Sequence, residues 1–448
     1  MGYNASLDRR SFLTWSAVGA AAALAGCTTQ GATGAGGAGG AGGKGVTVMG
    51  VADDFPKDLL KIWNSKHPDL PVKIIAYDET RLNAMLAAGN PPDLVRGLGA
   101  QQAGFLASRK IARPLDDYIA KSSAFKVSDL DPVNDVWRWD GTKQGEGQIY
   151  GLTKDYSLDM MLWYNSRLFE SVGATAPTAE RPPTYDDMLD VAKELTSVKG
   201  GKVLRYGMWS TAPAVEGIHA MMATTGVPLF AEDLKTVDFS SPEAQKAVLW
   251  LANVAKAKVG YTLLDPNPDG WDWPPFSVQR EAMAQAGYWF AGAVAGGEGT
   301  GKWARLAPAP MLGTKRVSPT TSATGHWIPT KAKNPDGAFA LLEWFTAGEP
   351  AVARAKSGWG IPIIRSLASH LPTAEPFQKE ALETQRAESQ YATVLTFSPY
   401  ATVTALSATV AGLFPQLVKG GMTIGQFADQ ANDKCNQLLA EGVSRVGG

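Results

Sequence analysis

The sequence is poor in the residues that carry catalysis, metal binding and covalent cross-links. Among 448 residues there are two cysteines and four histidines, and the histidines are scattered along the chain. Neither an H-E-x-x-H motif nor a G-x-S-x-G nucleophile elbow occurs. The Gly-rich run that ends in Lys44 is followed by Gly45, where a phosphate-binding loop needs Ser or Thr. Nothing here indicates a metal centre, a nucleotide site or a catalytic nucleophile.

An excess of charge of one sign and a long hydrophobic run are also missing. The 42 Lys and Arg residues balance 43 Asp and Glu residues, so no electrostatic field would attract nucleic acid or an anionic membrane surface. The apolar stretch before Cys27 is too short and too weakly apolar to span a membrane. A chain of this length is expected to bury a large core and to divide into two or more lobes.

The N-terminus has the features of an export signal. Two arginines at positions 9 and 10 precede an Ala-rich apolar stretch that ends in the sequence LAGC at 24–27. Twin arginines before a short apolar segment are typical of a Tat-type signal. The ending resembles a lipobox, in which the cysteine sulfur receives a diacylglycerol. We therefore predict a signal over residues 1–27, lipidation of Cys27, and a flexible Gly/Ala-rich tether over residues 28–45.

The other cysteine, Cys435, lies on an apolar stripe with helical spacing that includes Phe427 and Ala431. This position predicts a buried core thiol and not a nucleophile. If Cys27 is lipidated, Cys435 has no partner, and the exported protein has no disulfide.

Strand-like and helix-like segments alternate over residues 46–95. Residues 46–51 and 72–77 are apolar runs typical of buried strands, and a segment with helical spacing follows each. This order predicts a parallel sheet with right-handed crossovers. Ligands of such sheets collect beyond the carboxyl ends of the strands, which places Asp53 and Gln101 near a binding site. For Asp53, and also for Asp54, the alternative is capping of the next helix.

The stretch over residues 150–165, YGLTKDYSLDMMLWYN, has two apolar ends and a polar middle. The ends are short enough to be buried strands. The middle contains Lys154, Asp155 and Tyr156, which a hydrophobic core has no reason to contain. We interpret the stretch as a crossing from one lobe to another through a cleft, with Asp155 and Tyr156 facing a ligand.

Several motifs around this stretch resemble the extracellular solute-binding protein family 1, the receptors that feed ABC importers for sugars. The motifs are YGLT at 150–153, WYN at 163–165, LFESVGA at 168–174, AAGNPPDLV at 87–95, and GHWIP with KNP at 325–335. Thr153 departs from the Pro that is usual in the family. A further motif, FSVQREAM at 276–283, has Gln279 where the family usually has Gly.

The resemblance implies a two-lobed α/β fold, similar to the type II periplasmic binding proteins, in which helices flank a mixed, mainly parallel sheet in each lobe. It implies an N-terminal lobe over 46–154 and 326–370, and a C-terminal lobe over 155–325 and 371–448. It further implies a monomer without a cofactor, which is not an enzyme. Such a protein takes a carbohydrate ligand, delivers it to ABC permease subunits, and is anchored to the outer face of the cell membrane.

By position in the family pattern, four aromatic residues are expected to line the sugar: Trp209, Trp289, Trp359 and Tyr400. For Trp359 the alternative is an ordinary buried tryptophan, and Trp271 and Trp273 are expected to cover a hydrophobic edge. A pyranose presents apolar C–H faces and a rim of hydroxyls, so flat aromatic rings and polar side chains together satisfy it. The predicted polar partners are Asp53, Gln101, Asp155 and Tyr156.

Two alternatives remain open at this point. An exported enzyme acting on polysaccharide would also use paired carboxylates around a sugar, and 43 acidic residues offer many pairs. The same fold with another cargo, such as a polyamine, a peptide, phosphate or a metal, is the second alternative. Scattered histidines argue against a metal, whereas four aspartates leave a cationic cargo open: Asp53, Asp54, Asp155 and Asp159.

Overall fold

The computed structural model describes residues 45–446, which belong to one compact unit. The predicted signal, the predicted lipidation site Cys27 and the tether up to residue 44 lie outside the described residues. Within residues 45–446, every helix is too short or too polar to cross a membrane.

The strands are short, and those of the two larger sheets come from distant parts of the sequence. In chain order the described strands are β1 (Val46–Gly50), β2 (Val72–Ala76), β3 (Leu94–Leu98), β4 (Arg138–Trp139), β5 (Gln148–Ile149), β6 (Leu152–Thr153), β7 (Asp155–Tyr156), β8 (Leu162–Asn165), β9 (Ser197–Lys199), β10 (Lys202–Arg205), β11 (Met283–Gln285), β12 (Ala304–Ala307), β13 (Ser318–Thr320), β14 (Thr324–Trp327), β15 (Ile361–Pro362) and β16 (Ala392–Val394).

Several helices begin where the sequence predicts a cap. Thr184 and Asp187 form a capping box, and Ser241 and Asn334 each accept a backbone hydrogen bond before a proline in the first turn. In chain order the described α-helices are α1 (Lys57–Lys66), α2 (Glu79–Ala87), α3 (Gly99–Ser108), α4 (Asp116–Lys121), α5 (Ser166–Ser171), α6 (Tyr185–Leu195), α7 (Val215–Ala223), α8 (Pro242–Ala257), α9 (Trp273–Ser277), α10 (Phe290–Gly296), α11 (Pro335–Ala347), α12 (Glu349–Ser357), α13 (Pro376–Glu388), α14 (Val403–Val418) and α15 (Ile424–Val446).

The first lobe is built on a five-stranded sheet with the strand order β2-β1-β3-β14-β6. Strand β1 is parallel to β2 and β3, which confirms the parallel arrangement predicted for residues 46–95. Strand β14 is antiparallel to β3 and β6. Neighbouring residues of a strand point to opposite faces, so Val48 and Met49 enter two different hydrophobic clusters. The sheet of the first lobe is therefore covered by apolar side chains on both faces.

The second lobe is built on a three-stranded sheet with the order β11-β8-β12. Both outer strands are antiparallel to β8. Outside this sheet, β13 is parallel to β16, and single bridges such as Tyr206 with Glu281 are parallel too. The β11-β8-β12 sheet is therefore antiparallel, and the mixture of parallel and antiparallel pairs arises only when β13, β16 and the single bridges among the described residues are included. Trp163 and Tyr164 of β8 enter separate clusters, so this sheet also has a core on each face. Cys435 of α15 is fully buried in one of these clusters, as the helical stripe predicts.

Strand β6 belongs to the first sheet and β8 to the second, so residues 154–161 lead from one lobe to the other. This confirms the crossing predicted for the stretch over residues 150–165. The chain returns to the first sheet at β14, and the loop after α12 pairs with the crossing through β15 and β7. We call this region the hinge. The predicted lobe boundaries at residues 154, 325 and 370 stay a prediction.

Candidate functional site

The polar residues of the crossing hold neighbouring passes of the chain together. The carboxylate of Asp159 accepts hydrogen bonds from the backbone N–H groups of Thr321, at 2.8 Å, and Ser322, at 2.9 Å. The hydroxyl of Thr320 donates to the carbonyl of Ser157 at 2.8 Å. These bonds join the outward crossing to the returning one, so part of the polar middle of this stretch has a structural role.

A buried network of ion pairs lies at the first-lobe end of the hinge. The ammonium of Lys154 is 3.0 Å from Asp155 and 3.4 Å from Asp54. The guanidinium Nε of Arg354, on α12, is 3.5 Å from Asp155, and that of Arg96, on β3, is 3.3 Å from Asp54. We call these five residues the hinge network. Because Asp155 is 8% exposed and already faces two cations, its carboxylate is largely occupied within the protein.

The hinge network also sets the protonation of its surroundings. Burial alone would raise the pKa of Asp54, but the positive charges of Lys154, Arg96 and Arg354 outweigh it, and the pKa of Asp54 is lowered. His326 is fully buried between Phe55 and Phe345. Burial lowers the pKa of His326 to about 3, although the nearby carboxylate of Asp54 acts in the opposite direction. The imidazole is therefore neutral at physiological pH.

Tyr156 and Asp53 lie next to the hinge network and differ in exposure. The hydroxyl of Tyr156 donates to Asp131 at 3.0 Å, and burial, with the charge of Asp131, raises the pKa of Tyr156. Asp53 is exposed in the short 3-10 helix Ala52–Asp54, and neither Asp53 nor Asp54 caps α1, which begins after Pro56. Helix capping of α1, the alternative for both aspartates, is thus wrong, whereas contact of Asp53 or Tyr156 with a ligand stays a prediction.

Three tryptophans meet the ring of Phe290 on the second-lobe side of the hinge, and a fourth stacks on one of the three. Trp289 and Trp273 meet the Phe290 ring edge to face at centroid distances of 5.6 Å and 5.5 Å, and Trp271 does so at 6.5 Å. Trp359, from the loop after α12, lies nearly parallel to Trp289, with a centroid distance of 6.1 Å and an interplanar angle of 14°. We call Trp271, Trp273, Trp289 and Trp359 the aromatic wall. Two of the predicted ligand residues, Trp289 and Trp359, are thus brought together.

Trp209 does not belong to the aromatic wall. It is 3% exposed and lies in the other hydrophobic cluster of the second lobe, against Trp250 at 6.0 Å and Tyr185 at 6.4 Å. In this structure Trp209 packs in the core, four residues beyond the end of β10 at Arg205. Its contact with a ligand stays a prediction.

Gln101 and Tyr400 lie near a second part of the space between the lobes. Gln101 donates to the carbonyl of Thr321 at 3.0 Å and lines a pocket together with Tyr77, Phe105 and the first residues of α14. The carbonyl of Tyr400, three residues before the start of α14, accepts a hydrogen bond from Arg109 at 2.8 Å. This arginine follows α3 of the first lobe, so it joins the two lobes directly.

Two neighbouring acids of the second lobe, the buried Glu281 and the partly buried Asp272, have raised pKa values. Glu281 is fully buried, and neither of its carboxyl oxygens makes a hydrogen bond within the described chain. Burial, and then the charge of Asp272, raise the pKa of Glu281 well above its ordinary value. Burial likewise raises the pKa of Asp272 to about 6, although the backbone N–H of Ser210 donates to it at 3.3 Å. Burial therefore favours the neutral form of Glu281.

Sequence reasoning missed Phe290, Arg354 and Arg109. Phe290 directly follows Trp289, so its contact with the aromatic wall could have been predicted from the sequence. No motif or spacing near Arg354 or Arg109 indicates a role for either residue. Each contacts a residue about 200 or more positions away. Within residues 45–446, no group of three or more His, Cys, Asp or Glu side chains is placed to hold a metal ion.

Comparison with known proteins gives the family and the fold. The family described as bacterial extracellular solute-binding protein matches residues 44–350. The diacetylchitobiose binding protein NgcE of Streptomyces coelicolor is 30% identical over 137 residues. That match covers 30% of this chain and 26% of the relative, so the chain matches only about a quarter of the relative's length.

Two solved structures share the fold at low identity. An ABC substrate-binding protein of Listeria monocytogenes in complex with cycloalternan has a TM-score of 0.73 at 20% identity, covering 88% of this chain and 99% of the other. The maltose/maltodextrin-binding domain MalE of Bdellovibrio bacteriovorus, bound to maltotriose, has a TM-score of 0.68 at 17% identity, covering 88% and 100%. The likeness confirms the predicted two-lobed α/β fold.

Proposed function

Because this chain belongs to the family of bacterial extracellular solute-binding proteins, we propose that it captures a carbohydrate between its lobes and delivers it to the permease of an ABC importer. The family match confirms the prediction of a binding protein, as opposed to an enzyme acting on polysaccharide. That the ligand is a carbohydrate, and that it is delivered to a permease, is what we propose.

The main structural support for a carbohydrate ligand is the pair of parallel indoles in the aromatic wall. Trp289 is partly exposed and Trp359 is 38% exposed, so both offer apolar surface at the hinge. Flat aromatic faces suit the C–H faces of a pyranose. Asp53 and Gln101, and the hydroxyl of Tyr156, supply polar groups for its rim of hydroxyls. The names of the relatives, which include binding proteins for diacetylchitobiose and maltotriose, support the same class of ligand.

The hinge supplies the movement that such a receptor needs. A ligand closes the lobes only if it binds the closed form better than the open one. Stacking on one aromatic face contributes on the order of 1 kcal/mol beyond the buried area, against about −8 kcal/mol for a micromolar complex. The tryptophans of the wall would therefore provide a noticeable share of the binding free energy.

The test is a melting-temperature screen against a library of mono- and oligosaccharides, followed by titration calorimetry. We expect Trp289→Ala to remove most of the measurable saccharide affinity and to leave folding intact. The matched control is Trp344→Ala, because Trp344 is a partly buried tryptophan that packs on Trp63 in the first lobe. Wild-type affinity of the Trp289 variant, or stabilisation by polyamines or peptides in place of saccharides, would contradict the proposal.

We also propose that Cys27 carries the lipid anchor and that the Gly/Ala-rich run spaces the lobes from the membrane. The LAGC sequence and the twin arginines support this proposal. Cys27→Ala should release the protein from the membrane fraction of the expressing cell without changing its melting temperature. Retention of that variant in the membrane fraction would count against the anchor.

A further inference from the structure

Glu281 is a buried acid without a partner. Its side chain is fully buried, and neither carboxyl oxygen makes a hydrogen bond within residues 45–446. A buried carboxyl group that lacks hydrogen bonds costs free energy, and more so when it is charged. Such a group in a native structure indicates a bound water molecule or ion, or a special chemical role. Both oxygens of Glu281 are therefore available to a ligand.

An acidic loop over residues 265–272 lies next to Glu281. The backbone N–H of Glu281 donates to the carbonyl of Pro275 at 3.2 Å, so the chain at Glu281 contacts the segment that follows this loop. Among charged groups, Asp272 acts most strongly on Glu281, and Arg280 acts less and in the opposite direction. The guanidinium of Arg280 is itself occupied, because it donates to Asp269 at 3.1 Å. The nearest influential charge around Glu281 is thus a second carboxylate.

Asp272 is oriented by hydrogen-bond donors. Its Oδ1 accepts from the backbone N–H of Ser210 at 3.3 Å, and the side chains of Ser210 and Asn267 also donate to its carboxylate. A carboxylate has about four lone-pair sites, so three donors leave room for a further contact. Asp272 is partly exposed, whereas Glu281 is not. The pair therefore has an outer carboxylate that is held in place and an inner one without a hydrogen bond.

The sequence of the loop contains part of a calcium motif. The spacing of the first six positions of an EF-hand loop is matched by Asp265, Asn267, Asp269 and Gly270. Gly270, at the sixth position, has a φ angle of +79°, as the sharp turn there requires. The twelfth position, which should be a bidentate glutamate, is Phe276. The carboxylates of Asp265 and Asp269 each accept a hydrogen bond from another side chain, so the motif does not form a complete site.

We propose that Glu281 and Asp272 bind a calcium ion, with Glu281 supplying the bidentate carboxylate that the loop lacks at Phe276. Both ligands offer only oxygen, which suits a hard cation, and Ca²⁺ accepts irregular coordination more readily than Mg²⁺ does. Two carboxylates are fewer ligands than a closed metal site has, so water completes the coordination. The dissociation constant should therefore be about 10⁻⁴ to 10⁻³ M, as in extracellular calcium modules. The ion would connect the acidic loop to β11, which begins two residues after Glu281.

The experiment measures the melting temperature of the wild type in EDTA and in calcium chloride at about ten times the weaker of these constants. Calcium should raise the melting temperature by a few degrees, because it binds the folded chain alone, and magnesium at the same concentration should raise it less. Terbium luminescence is the second readout, because Trp271 and Trp273 flank Asp272 and can sensitise a bound Tb³⁺. Saccharide is left out, so the result is independent of the proposed function.

Glu281→Gln should abolish the calcium-dependent shift and the terbium emission. Its amide has the shape of the neutral carboxyl group that burial favours, so the variant should fold, and its melting temperature in EDTA checks this. Asp272→Asn should lower the calcium affinity at least about tenfold. The matched control is Asp269→Asn, which should respond to calcium as the wild type does, because Asp269 pairs with Arg280.

A wild type whose melting temperature calcium does not change would overturn the inference. Retention of the calcium response in Glu281→Gln would do the same. Loss of the response in Asp269→Asn, with Glu281→Gln unaffected, would assign the ion to the EF-hand-like positions of the loop and also overturn the assignment to Glu281 and Asp272.

Discussion

The two sides of the hinge differ in chemistry. On the first-lobe side, the charges of Asp54, Lys154, Asp155 and Arg354 are buried against one another. On the other side, Trp289 and Trp359 lie parallel and keep part of their surface in solvent. Charges that already have partners stabilise one arrangement of the chain, whereas apolar faces in solvent remain available to a ligand. The comparison separates residues that stabilise the hinge from residues that are proposed to bind the carbohydrate.

The two sides also respond to pH in opposite directions. His326 is kept neutral by burial, so acid destabilises the first-lobe side. Asp272 and Glu281 have raised pKa values, so acid relieves the cost of their burial on the second-lobe side. Three substitutions test the comparison of the two sides, the first through stability and the other two through its dependence on pH.

The largest effect is expected from Arg354→Ala, which leaves Asp155 with one cation fewer in a buried site. Breaking one partner of a buried pair costs about 3 to 5 kcal/mol, and the guanidinium also lies 4.1 Å from the Phe345 ring centre. The free energy of unfolding in urea measures the loss. The control is Arg305→Ala, whose 3.0 Å pair with Glu380 is more exposed and should cost about 1 kcal/mol or less. Similar losses in both variants would show that the hinge network does not hold the hinge.

An intermediate effect is expected from His326→Gln. In the unfolded chain a histidine takes up a proton near pH 6.5, whereas His326 stays neutral down to about pH 3. Between these values the unfolded state binds more protons, so wild-type stability falls as the pH falls.

When the pH is lowered from 6.5 to 4.5, the free energy of unfolding of the wild type should fall by about 2 to 3 kcal/mol more than that of the variant. Unfolding free energies at the two pH values give the difference, and His370→Gln, which removes an exposed imidazole, should behave as the wild type does. An unchanged pH profile for His326→Gln would contradict the assignment.

The smallest effect, and one of opposite sign, is expected from Asp272→Asn. The pKa of Asp272 is raised to about 6, above about 3.9 for an unfolded aspartate. The folded state therefore binds more protons between these values, and the cost of ionisation is complete above pH 6. Asparagine keeps the acceptor for Ser210 and removes the charge, so melting temperature should rise by a few degrees at pH 7.5 and hardly change at pH 4.5.

Asp269→Asn is the matched control, because Asp269 lies in the same loop and forms an exposed pair with Arg280. A destabilised Asp272 variant at pH 7.5 would show that the carboxylate is needed in its charged form.

The motifs and the local signals of the sequence predicted a large part of this protein correctly. The parallel strands β1 to β3, the capped starts of α6, α8 and α11, and the buried Cys435 all follow from spacing within about twenty residues. The crossing at residues 150–165 follows from its polar middle. The family pattern placed Trp289 and Trp359, which the structure brings side by side. Trp209, placed by the same kind of reasoning, lies in the core.

The sequence by itself determined which segments are buried, where helices begin, and to which family the chain belongs, because these depend on local order along the chain. Only the tertiary structure decided which partner each polar or aromatic side chain meets. Asp155 finds Arg354, and Trp359 finds Gly292, across distances along the chain that no period or motif spans. Periodicity reports the face of a helix or strand that is buried, whereas the partner on that face is selected by the packing of the whole fold.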